Sequence, residues 1–124
     1  FVVPQIILFR EEHSPRTLVN KVDFISAPGF SDENIYRPGG PKFLLTNRAL
    51  FKFNKQKKRF CLIKIHNNES LENIVKLTGF KFDFDDNITN MSIPNENRID
   101  ILRSKISHMV SEFYPEFADR IWGV

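Results

Sequence analysis

The sequence predicts an α/β fold, and three observations carry that prediction. Phe51 and Phe53 alternate with Lys52, the period of a half-buried strand. Leu71, Ile74, Val75 and Thr78 share one face of a helix that begins at Ser70. Ile99, Leu102, Ile106, Met109, Val110 and Phe113 then hold helical spacing over about four turns.

Phe1 to Phe9 is β-compatible, with Pro4 restricting it to an edge strand or a break, because proline cannot donate to a ladder. Arg10 to His13 reads as a charged loop. Ser14-Pro15 has the form of an N-cap followed by proline at the first helical position, which predicts a short helix over Arg16 to Asn20. Val22 to Ile25 is predicted as a short strand, ended by the loop chemistry of Ser26-Ala27-Pro28-Gly29. A long polar loop over residues 31–42 closes with Pro38-Gly39-Gly40-Pro41, and loops of this length tend to be functional or disordered.

Lys42 to Thr46 and Ala49 to Asn54 are predicted strands. Lys55 to Lys58 forms a polar turn and Arg59 to Ile65 the returning strand of a hairpin. The helix from Ser70 is stopped by Gly79, as glycine commonly does just past a last turn. Phe80, Phe82 and Phe84 alternate with Lys81 and Asp83, which predicts one more short strand. Pro94 opens the last helix, Pro115 kinks or ends it, and Phe117 to Trp122 adds a final turn or two.

A chain of 124 residues is a single domain, 1–124, by size. With 41% hydrophobic and 27% charged residues it belongs to the soluble globular class. The longest apolar run, Phe1 to Phe9, falls far short of the ~20 residues of a membrane helix, and it lacks the flanks of a signal peptide. The single cysteine, Cys61, makes no internal disulfide, so a reducing compartment, most simply the cytoplasm, is the expected home. The net charge of +3 is weak and its only dense basic cluster is Lys55, Lys57, Lys58 and Arg59, which makes nucleic acid an unfavoured partner. The 13 phenylalanines match an AT-rich coding bias and are discounted as a functional clue. Phe-Val-Val-Pro is an apolar start for a chain end. It is expected either to belong to a longer polypeptide or to pack against a second one.

No residue type stands in a pattern that compels catalysis. His13, His66 and His108 are far apart, without metal-ligand spacing, and are expected at the surface or in caps. Cys61, inside an apolar strand, is expected to be an inert thiol. Asp83, Asp85, Asp86 and Asn87 lack the glycine and distal glutamate of a calcium loop and are expected to form a solvated turn. The Ser26-Ala27-Pro28-Gly29-Phe30 turn is the better candidate, because in α/β sheets ligands gather where strands end and loops open. A glycine there lets a backbone N–H approach a carbonyl or phosphate closely, and Gly39 and Gly40 are placed to do the same opposite. Ordinary turn chemistry explains the same residues equally well.

The order of segments resembles the second half of family I CoA-transferases, nearest the B-type subunit of glutaconate CoA-transferases. The resemblance runs through His13-x-x-Arg16, Val22-Asp23-Phe24-Ile25-Ser26-Ala27-Pro28-Gly29-Phe30, and Gly40-Pro41-Lys42-Phe43-Leu44-Leu45-Thr46-Asn47 with Leu50-Phe51. It continues through Ile65-His66, Ser70-Leu71-Glu72-Asn73-Ile74, Thr78-Gly79-Phe80, Tyr114-Pro115, Phe117-Ala118 and Trp122-Gly123. It implies an open CoA-transferase-like sheet flanked by helices, the C-terminal half of a longer subunit.

The resemblance also implies a partner, an α-type subunit or an N-terminal half, and coenzyme A as substrate with no tightly bound cofactor and no metal. In that family a glutamate attacks an acyl-CoA thioester to give an acyl-glutamyl anhydride. CoA then displaces the acyl group, and the glutamyl-CoA thioester passes CoA to an acceptor carboxylate. The family's glutamate lies ahead of the matched region. None of Glu11, Glu12, Glu33, Glu69, Glu72, Glu96, Glu112 or Glu116 stands in its context, so no catalytic residue is assigned. Asn47 replaces the aspartate usual after the threonine. The candidate acyl-CoA-site residues are Ser26, Pro28, Gly29, Phe30, Gly39, Gly40 and Thr46, and the chain alone is expected to be inactive. The same fold also serves CoA-ester hydrolases that open a ring of a steroid-derived acyl-CoA. A non-catalytic protein- or RNA-binding module, resting on the basic 55–59 hairpin, is the alternative from another class.

Overall fold

The computed structural model describes residues 3–32 and 34–124. Phe1 and Val2 of the first predicted strand, and Glu33, lie outside the described residues. The chain comprises two compact units, Phe1–Met91 and Ser92–Val124.

The first unit is a mixed sheet in the order β1-β2-β3-β4-β5. Its strands are β1 (Ile6–Arg10), β2 (Pro41–Thr46), β3 (Ala49–Asn54), β4 (Arg59–Ile65) and β5 (Asp83–Asn90), with helix α1 (Leu71–Leu77) between β4 and β5. Strands β2, β3 and β4 form an antiparallel meander, while β1 pairs parallel to β2 and β5 parallel to β4. Parallel neighbours need a crossover. One crossover is α1, and the other is the long segment from Glu11 to Gly40.

The core forms around one cross-strand row. Leu44 pairs with Phe51 and Phe51 with Leu62, so the period-2 alternation puts all three on one face. Leu18 and Ile74 cover them, and Ala49 completes the buried cluster. Phe60, Phe80 and Phe82 gather around Phe51, with Phe82 edge-to-face on it at 5.2 Å between ring centres. Phe51, Phe60, Phe80 and Phe82 therefore make up much of this core, a packing role and not a functional one. Each fully buried large apolar side chain contributes roughly 1.5–3 kcal/mol. The opposite row, Phe43, Lys52, Cys61 and Asp83, alternates half-buried with charged residues.

Strands β3 and β4 and the Lys55–Lys58 turn stand where the sequence predicts them. Ser70 caps α1, its side chain accepting from the Asn73 N–H. Several expectations give way. The helix over Arg16 to Asn20 is a single turn, held by the Thr17 and Leu18 N–H groups donating to the Ser14 carbonyl. Val22–Ile25 makes no ladder with any strand, and Phe24 is 81% exposed. Its β-branched residues favour extension, but a strand also needs a partner. The strand begun at Phe80 starts only at Asp83, because Phe80 and Phe82 are taken into the cluster around Phe51. Gly79 does not end α1 by a left-handed turn, since Thr78 is already extended. Gly79 is instead where two backbones meet: its N–H donates to the Leu18 carbonyl at 2.7 Å, and a Cβ would stand 2.3 Å from that oxygen.

The second unit holds α2 (Glu96–Ile101), a π-helical turn Leu102–Ile106, α3 (Ser107–Ser111) and α4 (Pro115–Trp122). Asn95, not Pro94, caps α2, accepting from the Arg98 N–H. The π turn inserts a residue into the helical register. The predicted stripe therefore does not stay on one buried face, and Leu102, Met109 and Phe113 are exposed. Pro115 opens α4 rather than kinking a longer helix, and Gly123 closes it in the left-handed conformation, φ 70°.

Candidate functional site

The structure brings the two predicted glycine turns together. A Cβ on Gly39 would lie 2.1 Å from the Val3 carbonyl oxygen. Gly40 adopts φ +138°, and a Cβ there would lie 3.2 Å from the Gly29 carbonyl oxygen. Only glycine permits both approaches. The Ile6 N–H donates to the Gly40 carbonyl at 3.0 Å, which ties this turn to β1. From the other side the Lys55 ammonium donates to the Pro38 carbonyl at 2.7 Å, so the tip of the β3–β4 hairpin holds the 38–40 turn.

Between these elements opens a cleft of about 200 Å³, lined by Gly29, Phe30, Ser31, Arg37, Gly39 and Lys58 among others. Phe30 and Phe53 stack at 6.2 Å between ring centres, inclined by 21°. The Lys58 ammonium sits 5.1 Å above the Phe30 ring, within cation–π range. The Ser31 hydroxyl is buried and has no hydrogen-bond partner. Of the residues singled out from sequence, Gly29, Phe30 and Gly39 line this cleft, and Gly40 lines its neighbour beside Pro4 and Gln5. Ser26 and Pro28 are exposed and line neither. Sequence reasoning missed Ser31, Arg37, Lys55 and Lys58 as parts of the same place. The basic cluster was visible, but not that it folds back over the Phe30 turn.

Thr46 stands at the other end of β2, roughly 15–20 Å along the strand from Gly40. It is 2% exposed, and its hydroxyl is fully engaged inside the protein. Its oxygen accepts from the Arg48 and Ala49 N–H groups at 3.2 and 3.0 Å and lies 2.8 Å from His13 Nδ1. His13 Nε2 lies 2.9 Å from the Thr78 hydroxyl, which donates to the Ile74 carbonyl at 2.7 Å. One assignment satisfies every group: Nε2–H donates to Thr78, and the Thr46 hydroxyl donates to Nδ1. His13, expected at the surface or in a cap, is thus a buried bridge between the segment after β1, strand β2 and helix α1. Burial holds its pKa below the usual histidine value, the Arg48 charge adds to this, and Glu69 opposes it.

The remaining candidates build no reactive centre. Cys61 is half-buried, and desolvation, then Asp85 and Asp83, push its thiol pKa up, away from the thiolate a nucleophile needs. Asp83, Asp85, Asp86 and Asn87, expected in a solvated turn, all lie in strand β5, and Asp83 pairs with Arg59 at 3.1 Å and Lys57 at 3.4 Å. Among the described residues no group of three or more His, Cys, Asp or Glu side chains could hold a metal ion. No helix among them is long and apolar enough to cross a membrane.

This mixed sheet with its glycine turns is the fold of CoA-transferase-like subunits. The chain superposes on glutaconate coenzyme A-transferase from Acidaminococcus fermentans with a TM-score of 0.69 and 26% identity, over 82% of this chain and 41% of that one. In sequence it is 28% identical over 102 residues to the B-type subunit of glutaconate CoA-transferase from the same organism, which is 77% of this chain and 38% of that protein. The resemblance to the B-type subunit of family I CoA-transferases therefore stands in both sequence and fold. The chain spans about two fifths of the length of the relatives it matches. IpdAB of Rhodococcus jostii RHA1 shares the fold at TM-score 0.71 and 17% identity, over 81% of this chain and 42% of that one. The decarboxylase AibA/AibB shares it at 0.61 and 20%, over 95% and 42%. No protein-family model matches the chain.

Proposed function

We propose that the chain forms part of a cytoplasmic CoA-transferase-like enzyme subunit, corresponding to its C-terminal half, that works on acyl-CoA and carboxylate substrates together with a partner. The observation that carries this reading is the similarity to the B-type subunit of glutaconate CoA-transferase, present in sequence and fold at once. The reactive glutamate comes from the partner or from the preceding half of the subunit. The contribution of this chain is a wall: the Gly29–Phe30 and Gly39–Gly40 turns, braced by Lys55, border the acyl-CoA.

Backbone N–H groups at such turns stabilise negative charge that develops on a thioester oxygen. Thr46 acts at a distance, by fixing the end of β2 through His13. Coenzyme A enters as substrate, with no tightly held cofactor. A relative that hydrolyses CoA esters would use the same wall with water as acceptor.

An RNA-binding hairpin draws less support, because the basic cluster is committed internally. Lys57 and Arg59 pair with Asp83, Lys55 holds the Pro38 carbonyl, and Lys58 covers Phe30. The test is to capture the chain from its native source with whatever copurifies and to follow CoA exchange between an acyl-CoA and a free carboxylate. Exchange by the assembly and none by the isolated chain is expected. Turnover by the isolated chain would overturn the reading, and release of free CoA without exchange would turn it to the hydrolase.

A further inference from the structure

The two edges of the sheet are built differently. At one edge β5 presents Asp83, Asp85 and Asp86, and charged side chains of this kind keep an edge from pairing. At the other edge β1 carries neither charge nor proline from Ile6 to Phe9. Ile7 is 63% exposed, Leu8 42% and Phe9 63%. Successive side chains alternate, so both faces of the strand are open.

Its backbone is open on the outer side as well. Among the described residues β1 forms a ladder with β2 alone. The Ile6 N–H donates to the Gly40 carbonyl, on the β2 side. Polar groups of successive residues point to opposite sides of a strand, so those of Ile7 and Phe9 point away from β2.

An apolar sheet face adjoins this edge. Ile7 pairs with Phe43, Phe9 with Leu45, and Leu45 with Leu50, which puts all five on the face opposite Phe51. Phe43, Leu45 and Leu50 are half-buried, whereas Ile7 and Phe9 stand clear. Farther across the sheet the same face turns polar, at Lys52, Lys64 and Asp83. An uninterrupted apolar strand paired in parallel has the pattern of a strand covered on both faces, inside a sheet rather than at its rim.

We propose that the open side of β1 receives a further parallel strand from the preceding half of the subunit, and that the helix joined to that strand covers Ile7 and Phe9. The proposal deepens the C-terminal-half reading and rests on it. About three fifths of the length of the matched relatives has no counterpart in this chain, ample for a strand and its helix. A parallel strand needs a crossover, usually helical, which supplies the cover for the face. The incoming strand is apolar on both faces, to match Leu8 on one side and Ile7 with Phe9 on the other. A second copy fits this edge poorly. Pairing β1 with β1 engages five residues a side, against the roughly 20–30 of a stable interface.

The neighbour of β1 can be caught directly. Phe9 is replaced by the photo-crosslinker p-benzoylphenylalanine in the full-length subunit in its native assembly, and the attached peptide is read by mass spectrometry. A crosslink within the subunit, to a segment preceding this chain and unaffected by dilution, is expected. Hydrogen exchange on the unsubstituted assembly needs no variant to fold. The Ile7 and Phe9 amides are expected to exchange at least about tenfold more slowly than that of Phe24, which pairs with no strand.

A crosslink to the partner subunit, to a second copy or to nothing would overturn the proposal. So would Ile7 and Phe9 amides that exchange as fast as that of Phe24. Crosslinking to the preceding half in an assembly without CoA exchange would keep the interface and remove the transferase. CoA exchange by an assembly in which residue 9 crosslinks to nothing would do the reverse.

Discussion

The Nδ1 atom of His13 lies 2.8 Å from the hydroxyl oxygen of Thr46, across 33 residues of sequence, with both side chains buried. With Thr78 on the other ring nitrogen, this pair fastens the segment after β1 to both β2 and α1. Thr46→Val keeps the shape and removes the hydroxyl, stranding Nδ1 and two backbone N–H groups. Urea unfolding is expected to show a loss of about 1–3 kcal/mol, largely restored in Thr46→Ser. An unchanged midpoint in Thr46→Val would show that the bridge contributes nothing.

The same bridge sets a pH dependence. His13 is held neutral in the folded chain, mainly by burial, so its folded pKa lies below that of the unfolded chain, ~6.5. The unfolded state therefore binds more protons in the interval between the two values, and stability rises with pH there. It is fully present above the unfolded value and is lost progressively as pH falls below about 6.5 towards the folded value. Stability measured from pH 7.5 to 5.5 is expected to decline, with a shallower slope in His13→Gln. Equal slopes would assign the decline to other groups.

Two glycines separate crowding from backbone conformation. Gly79→Ala must push a Cβ to within 2.3 Å of the Leu18 carbonyl oxygen, so the turn after α1 has to move and a 2.7 Å hydrogen bond goes with it. Gly123 has φ +70° with nothing within 4 Å, so Gly123→Ala meets only the strain of the left-handed region, about 1 kcal/mol. Denaturation midpoints are expected to fall more in Gly79→Ala than in Gly123→Ala. The reverse order would contradict the close approach.

Legibility in the sequence followed locality. The β3–β4 hairpin and the Ser70 cap are settled by residues within a few positions of each other, and they stand as read. Gly79, His13 and the Phe80–Phe84 run could not be read that way. Each is decided by a partner far along the chain: Leu18, Thr46 with Thr78, and Phe51. Val22–Ile25 shows the same limit, since its composition suits a strand but pairing is a property of neighbours. In the candidate site, the glycine turns announced themselves by composition. Lys55, Lys58 and Ser31 did not, because their role depends on a hairpin folding back across the Phe30 turn. The resemblance to a B-type CoA-transferase subunit was legible for a different reason, as it drew on the order of short segments along nearly the whole chain.

Cys61 is expected to react slowly with a thiol reagent. Burial and the nearby Asp85 and Asp83 charges raise its pKa, leaving little thiolate near neutral pH. The native chain should react more slowly than the urea-unfolded chain at the same pH, and equal rates would show the thiol to be open to solvent and unperturbed.

Lys55 offers the sharpest test of the wall. Its ammonium holds the Pro38 carbonyl at 2.7 Å and reaches the Gly39 carbonyl at 3.5 Å, while the side chain lies exposed on the hairpin turn. Lys55→Met preserves most of the stem but removes the donor, so global stability should change by under about 0.5 kcal/mol, as for an ordinary surface substitution. The 38–40 turn loses its brace, and amide exchange at Gly39 and Gly40 is expected to speed up while exchange in β3 and β4 does not. If those glycines border the thioester, the loosened turn should lower kcat/KM for acyl-CoA in the assembled enzyme by about tenfold or more, because small displacements of positioning groups are costly. Lys55→Arg, which can still donate to the Pro38 carbonyl, should recover part of that loss. Faster exchange at the turn with kcat/KM unchanged would separate the two claims: the brace would stand, and the Gly39–Gly40 turn would be no part of the acyl-CoA wall.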